Sequence, residues 1–341
     1  VSLPAFSVVV IGRNEGQRLV RCLKSIAAIG DGSSASLSCE VIYVDSASSD
    51  GSPERAAAMG ARVIALDAPR PTAALGRNAG WQQATAEFVL FLDGDTILDP
   101  QFPARAFASM LADQTIAAVW GHRRELHPEA SLYNRILDLD WIYPPGPAEF
   151  CGGDVLMRRA ALEAVGGYDG TLIAGEEPEM CRRMRALGYR ILHIDAPMTG
   201  HDLDMKHFAQ YWKRATRAGH AYAEVSSRFR KSGDPFWQPE RTANLRRGGF
   251  WMLSFLAAIV LSLVLRSAVP GLLWLAMLTA LSLRSAWKAR WKSPRASTLL
   301  LYGLHSHLQQ VPICIGQLAF DFDPRKGQRK LIEYKGASSV P

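Results

Sequence analysis

Cysteine is scarce in this chain of 341 residues. The five present (Cys22, Cys39, Cys151, Cys181 and Cys314) are scattered without a CxxC pair, which argues against zinc, and their odd number argues against a disulfide framework. A reducing compartment is the simpler assumption. There is no G-x-G-x-x-G turn and no Walker A sequence, so a dinucleotide cofactor is not expected. Val1–Ala5 shows no basic region followed by an apolar core, so no signal peptide is expected. The most informative absence is of acid. Residues 241–320 hold nine Lys or Arg and no Asp or Glu, within a net charge of +7. A basic tract of this kind can mean nucleic acid. Two uncharged stretches inside it, the eighteen residues Gly248–Leu265 and the seventeen residues Ser267–Leu283, separated only by Arg266, argue for lipid instead.

What is present is a folded α/β pattern, with 48% apolar and 21% charged residues. Phe6–Ile11 is rich in valine and isoleucine, and Glu15–Ala28 carries the helical stripe Leu19, Cys22, Leu23, Ile26 and Ala27. Val41–Val44, Arg62–Leu66 and the apolar run Phe88–Leu92 read as strands, and Thr72–Ala86 as a helix. Such alternation predicts a mostly parallel sheet with helices on both faces. Gly30–Ser38 reads as a Ser/Gly-rich loop. Beyond Ala117 the alternation breaks down, leaving strands at Val119–Arg124, Val155–Met157 and Arg190–Ile194 and helices at Arg158–Val165 and Glu179–Leu187. Asp204–Arg230 is basic and aromatic, and either lies on a membrane surface or packs beneath the α/β domain.

The strand ends share a chemistry. The first runs into Gly12-Arg13-Asn14-Glu15, the second into Asp45 and the segment to Gly51, and the fourth into Asp93-Gly94-Asp95. Polar and acidic residues therefore gather at the C-terminal edge of the sheet, where open α/β sheets bind ligands. Two hard oxygen ligands one residue apart suit a divalent cation that also holds phosphate oxygens. The bland alternative is an Asp-Gly turn with solvated acids.

SVVVIGRNEG at Ser7–Gly16, VDSASSDGS at Val44–Ser52, GRNAG at Gly76–Gly80, FLDGD at Phe91–Asp95, the pair Gly152-Gly153, VGGYD at Val165–Asp169 and GEEPEMC at Gly175–Cys181 occur in this order. The ordered set resembles the family 2 glycosyltransferases of the GT-A fold over about residues 5–225. The resemblance implies a nucleotide-sugar site lined by Ile11, Arg13, Glu15, Asp45, Arg77, Asp93, Gly94, Gly153 and Asp154. Asp45 would take the base, Arg77 would lie near the diphosphate, and Asp93 would meet ribose. Asp95 would hold Mg2+ or Mn2+, with His201 completing the metal shell or lying as a loop histidine near the nucleotide. His193 is read as structural. Inverting transfer needs a carboxylate to take the acceptor proton. The family's base is usually the Asp of a Glu-Asp pair. Here Glu176-Glu177 stands in its place, so Glu177 holds the base position with one extra methylene of reach and Glu176 lies on the acceptor side. Glu179 reads as a first-turn helix acid. Gln210–Ala215 loosely resembles the Q-x-x-R-W motif of processive members, placing Trp212 and Arg214 on the acceptor or phosphate side. It lacks the final Trp, which argues for single-sugar transfer.

Each uncharged stretch makes a helix of roughly 26 Å, at the short end of the spanning range. Pro270-Gly271 is expected to connect them, in a hairpin that either spans the membrane or is re-entrant or surface-lying, and flanking Lys and Arg put both ends in the cytoplasm. Ser297–Phe320 reads as an interfacial or partly inserted third segment. The expected organisation is a catalytic domain over 1–230 and membrane-associated helices over 231–341, with the hairpin at about 248–283 and the interfacial segment at about 297–320. The expected protein sits at the inner membrane with its catalytic domain cytoplasmic. It moves one sugar from a nucleotide-sugar, a UDP-sugar by preference, to a lipid-linked saccharide. Its partners are donor, lipid-linked acceptor and membrane lipid, with no nucleic acid. The alternatives are a polyprenyl-phosphate glycosyltransferase and a catalytically silent scaffold of a polysaccharide assembly complex.

Overall fold

The computed structural model describes residues 4–29, 39–233 and 235–323, so the stretch Gly30–Ser38 lies outside the described residues. The chain opens with β1 (Phe6–Gly12), α1 (Gln17–Ala27), β2 (Glu40–Asp45), α2 (Ser52–Ala58), β3 (Arg62–Ala65), α3 (Ala73–Gln83) and β4 (Phe88–Asp93). There follow β5 (Thr96–Leu98), α4 (Phe102–Ala112), β6 (Ile116–Glu125), α5 (Leu132–Asp140), β7 (Gly146–Ala148), β8 (Val155–Arg158), α6 (Arg159–Val165), α7 (Glu176–Ala186) and β9 (Arg190–His201). Five helices complete it: α8 (Phe208–Arg228), α9 (Gln238–Val264), α10 (Val269–Lys288), α11 (Ala296–Leu308) and α12 (Gln310–Phe322).

The chain divides into two compact units. The first holds the sheet, in the order β3-β2-β1-β4-β8-β6-β9-β5 with β7 beside β9. β3, β2, β1 and β4 are parallel, as the alternation predicts. Beyond β4 the sheet is mixed, because β8 runs antiparallel to both β4 and β6 while β6 and β9 are parallel. The centre is dry: Val8, Val9, Val10, Leu90 and Phe91 are fully buried. Buried on both faces, such strands read as continuous apolar runs. α3 lies unusually close to them, since a Cβ at Gly80 would fall inside Val9 and within 3.2 Å of Val44. That approach carries Arg77, one turn earlier, down to the sheet edge.

The second unit gathers the described residues of 127–140 and 204–335. It thus takes in α5 and α8, whereas the sequence reading assigns residues up to 230 to the catalytic domain. α8 packs along α12, α12 on α9, and α10 on α11. A polar chain runs through it: Tyr211 Oη lies 2.8 Å from His305 Nδ1, and His305 Nε2 lies 3.2 Å from Asp140. The hairpin is present, but Pro270 and Gly271 fall in the first turn of α10. The turn lies over residues 265–268, with Arg266 in the left-handed region at φ 45°. The expected third segment is two helices, α11 and α12, meeting at Gln309. α9 and α10 are each long and apolar enough to cross a membrane, with mean hydropathy of 1.7 and 1.4 over the apolar window.

Candidate active site

Three strands of the first unit end together. Gly12 stands beside Asp45 and Ile11 beside Asp93, so the acids closing β2 and β4 flank β1 at one edge. Asp45 is buried and accepts from Tyr43 Oη at 2.9 Å and from the Ser48 amide at 2.8 Å. Asn14 ties the neighbouring loop to the same turn: its amide donates to Ser48 Oγ and its Oδ1 accepts from the Ser49 amide, both at 2.8 Å. Arg13 is exposed on that loop, and Glu15 pairs with Arg18 at 3.0 Å. Asp50, 3.0 Å from the Ser52 amide, caps the start of α2.

Arg77 is the centre of the cluster. It is 2% exposed. Its Nη2 donates to Asp93 Oδ1 at 2.9 Å, and its Nη1 to Glu177 Oε1 at 2.9 Å and Glu176 Oε1 at 3.2 Å. The Tyr168 ring lies 5.6 Å from its Cζ. Burial alone would depress the guanidinium, yet Glu177 and Asp93 hold its pKa well above the ordinary value. Gly175, left-handed at φ 85°, starts α7 and puts Glu176 and Glu177 in the first turn. Glu179 turns the other way to Arg183 at 2.7 Å and serves the helix, as expected. Burial and the charge of Glu176 push the Glu177 carboxyl up to about 7, against the pull of Arg77.

Asp154 braces this arrangement. It accepts from the Asp93 amide at 2.9 Å and from Thr199 Oγ1 at 2.7 Å, and burial raises its pKa against the pull of Arg123. Gly153 leaves room for the Arg77–Asp93 pair, since a Cβ there would overlap Arg77 and lie 3.0 Å from Asp93 Oδ2. The Gly94 amide donates to the Ile11 carbonyl at 2.8 Å and closes the tight turn. β5 then pairs Thr96 with His201, which sets Asp95 Oδ2 3.3 Å from His201 Nε2. On the imidazole's other side, Nδ1 lies 3.9 Å from Glu125 Oε2. Burial lowers the His201 pKa, and Arg123 lowers it further, a shift toward the neutral imidazole that can ligate a metal.

The donor set fits a divalent cation. Asp93, Asp95, Glu125, Asp154, Glu176 and Glu177 gather here, and among the described residues Arg77 and Arg123 pair with Asp93, Asp154, Glu176 and Glu177. A diphosphate entering such an edge needs a positive charge to neutralise it. Among the described residues no three His, Cys, Asp or Glu side chains converge on one point. The protein would therefore supply Asp95 and His201, and phosphate oxygens and water would supply the rest, as magnesium-type ions accept.

Arg123, Glu125, Trp141, Tyr168 and Thr199 are absent from the sequence-based set. Arg123 reaches Asp93 Oδ2 at 3.5 Å and lies 5.0 Å from the Trp141 ring, which in turn stands 5.0 Å from His201. Reading the end of Val119–Arg124 by the same strand-end rule would have found Arg123 and Glu125. His193 stacks on Trp120 at 4.1 Å and bonds the Pro144 carbonyl at 3.0 Å, a structural role as expected. Trp212 and Arg214 belong to the second unit, on α8, where the Trp212 ring lies 5.6 Å from Phe208.

Residues 7–166 match the family model for glycosyl transferase family 2. A pre-mycofactocin glycosyltransferase of Mycobacterium tuberculosis is 27% identical over 150 residues, covering 38% of this chain and 30% of that protein. This chain thus spans about a third of that relative's length. Glycosyltransferase AglE of Haloferax volcanii is 23% identical over 235 residues, covering 66% of this chain and 75% of its own. The solved mannosyltransferase PcManGT from Pyrobaculum calidifontis, in complex with GDP-Man and Mn2+, superposes with a TM-score of 0.67 at 20% identity, covering 95% of this chain and 89% of that one, a likeness of fold. The ordered motifs, the acid-lined sheet edge and the match over residues 7–166 identify a glycosyl transferase family 2 domain in this chain, on a sheet that shares the GT-A fold.

Proposed function

We propose that the enzyme transfers one sugar, with inversion, from a UDP-sugar to a lipid-linked saccharide at the cytoplasmic face of the inner membrane, in polysaccharide or glycolipid biosynthesis. The observation that carries the reading is the buried Arg77, which joins Asp93 of the strand-end motif to Glu177, a carboxyl poised near 7. A general base works best when its pKa lies near the operating pH. In a single displacement the acceptor hydroxyl oxygen bonds to the anomeric carbon as the bond to the diphosphate breaks, and the hydroxyl proton passes to Glu177. Arg77 keeps Glu177 oriented, and Asp154 fixes the Asp93 backbone. Asp95 and His201 would hold Mg2+ or Mn2+, which when bound neutralises charge gathering on the departing diphosphate.

The membrane part of the reading is supported by α9 and α10. Large apolar side chains such as Leu253, Leu263, Leu272 and Leu273 are exposed along them. Arg246 and Arg247 precede one uncharged run, and Arg284 and Lys288 follow the other, so both ends of the hairpin carry positive charge.

A thermal-shift screen of nucleotide-sugars with and without Mn2+ tests the donor and the metal together, because a ligand that binds only the folded state raises Tm. UDP-sugars are expected to stabilise more with Mn2+ than without. GDP-mannose, the ligand of the structural neighbour, is the comparison arm. Greater stabilisation by GDP-mannose would replace the donor assignment, and no stabilisation by any nucleotide-sugar would remove the reading.

A further inference from the structure

The second unit contains a cavity of about 590 Å³ that the sugar-transfer site does not use. That volume is in the range of small-molecule sites. Its lining includes four cations, Arg246 and Arg247 from α9 and Arg284 and Lys288 from α10, and no acid. Among the described residues none of the four has a carboxylate or hydrogen-bond partner. Unpaired guanidinium and ammonium groups gathered in one cavity repel one another, and an anion relieves that repulsion.

The level of the charges identifies the kind of anion. Arg247 is the last charge before the uncharged run of α9, and Arg284 the first after that of α10. In a helical hairpin these positions lie at the same end. The cations therefore sit where an uncharged segment gives way to polar chain, the depth of a lipid headgroup. Phe250, Trp251 and Leu281 supply an apolar wall to the same cavity. Gln310, also in the lining and 9% exposed, leaves its side-chain Oε1 without a partner. A second polar element comes from Ser285 and His307, joined at 3.0 Å.

We propose that this cavity binds the phosphate headgroup of an anionic lipid, the phosphate on the four cations and the first part of the chain along Phe250 and Leu281. Basic pockets between membrane helices on the cytoplasmic side have this chemistry. The proposal rests on the membrane placement of α9 and α10 given above.

The test uses the full chain. Flotation with pure phosphatidylcholine vesicles comes first and reads membrane association alone; a wild-type chain that does not float removes the membrane placement itself. The chain is then extracted from phosphatidylcholine vesicles containing a minority of phosphatidylglycerol, and bound lipid is counted by native mass spectrometry. Wild type is expected to retain phosphatidylglycerol selectively. Arg246→Gln/Arg247→Gln and Arg284→Gln/Lys288→Gln should each still float on phosphatidylcholine and lose about thirtyfold in phosphatidylglycerol affinity, at about a kilocalorie per mole for each cation. Arg246→Lys/Arg247→Lys keeps the charge and should keep the lipid. Arg290→Gln, outside the cavity, should have no effect. Equal loss in Arg290→Gln would reduce the effect to general surface charge, and equal retention in both cavity variants would overturn the site. Displacement of the lipid by excess inorganic phosphate would assign the cavity to free phosphate instead.

Discussion

Gly153→Ala tests how tightly the site is built. A methyl at this position would overlap Arg77 Nη2 and stand 3.0 Å from Asp93 Oδ2. Arg77 cannot swing aside, because it is buried and held on its other side by Glu176 and Glu177. Relieving the overlap takes a shift of roughly 1 Å, enough to carry the 2.9 Å bond between Arg77 and Asp93 beyond hydrogen-bond range. Losing a charge-assisted hydrogen bond costs about 1.5–3 kcal/mol. In a chain of this size that lowers Tm by several degrees, at about 2–4 °C per kcal/mol. Gly152→Ala is the internal control, since a Cβ there meets nothing within 4 Å among the described residues. Neither glycine has a positive φ, so backbone strain does not confuse the comparison. Differential scanning fluorimetry and nucleotide-sugar titration of both variants read the result. The expectation is a destabilised, weak-binding Gly153→Ala beside a nearly wild-type Gly152→Ala. If both variants keep wild-type Tm and donor affinity, the packing of Arg77 against Gly153 is not what holds Asp93.

Three further outcomes follow from the same cluster. Arg77→Met leaves Asp93, Glu176 and Glu177 together without their cation, and urea unfolding should show a loss of about 3–5 kcal/mol. The raised Glu177 pKa has a definite sign: above about pH 7 the carboxylate is ionised and competent as a base, and below it the proton blocks the site. kcat/KM, which reports the free enzyme, should therefore fall about tenfold per pH unit below that point, and an acid limb near the ordinary carboxylate range would contradict the assignment. Asp95→Ala and His201→Ala should each abolish the extra thermal stabilisation that Mn2+ gives in the presence of a nucleotide-sugar, measured by scanning fluorimetry; undiminished Mn2+ dependence in both would remove them as ligands.

Much of this site is legible in the chain because its pieces are local. Buried parallel strands read as unbroken apolar runs, so β1, β2 and β4 announce themselves, and the residues that follow each run fall on one edge. Asp45, Asp93 and Asp95 are found that way. Arg77 and Glu177 are a hundred residues apart, and only the resemblance of GRNAG and GEEPEMC to family motifs links them in sequence. What remained hidden depends on pairings with no local signal. β5 is three residues long and has no signal of its own, so Asp95 and His201 are linked in sequence only by the family resemblance. β6 meets β9 through shifts of register between Trp120 and Arg123, and those shifts decide that Arg123 faces Asp93 and that Glu125 lies beside His201. The helical unit shows the same limit. Its hairpin is visible as two uncharged runs, whereas the inclusion of α5 depends on tertiary contacts such as His305 with Asp140.

The central claim is that Glu177 takes the acceptor proton in a single displacement. Glu177→Gln is nearly isosteric, still presents an oxygen to Arg77 and removes only the ability to accept that proton. Donor affinity by titration and sugar transfer by single-turnover assay should separate. The account predicts nucleotide-sugar binding within about a factor of two of wild type and transfer slowed by about 10²–10⁴-fold, the usual contribution of a positioned base. Transfer at the wild-type rate with normal binding would contradict it, and would fit an acceptor that is already an anionic phosphate.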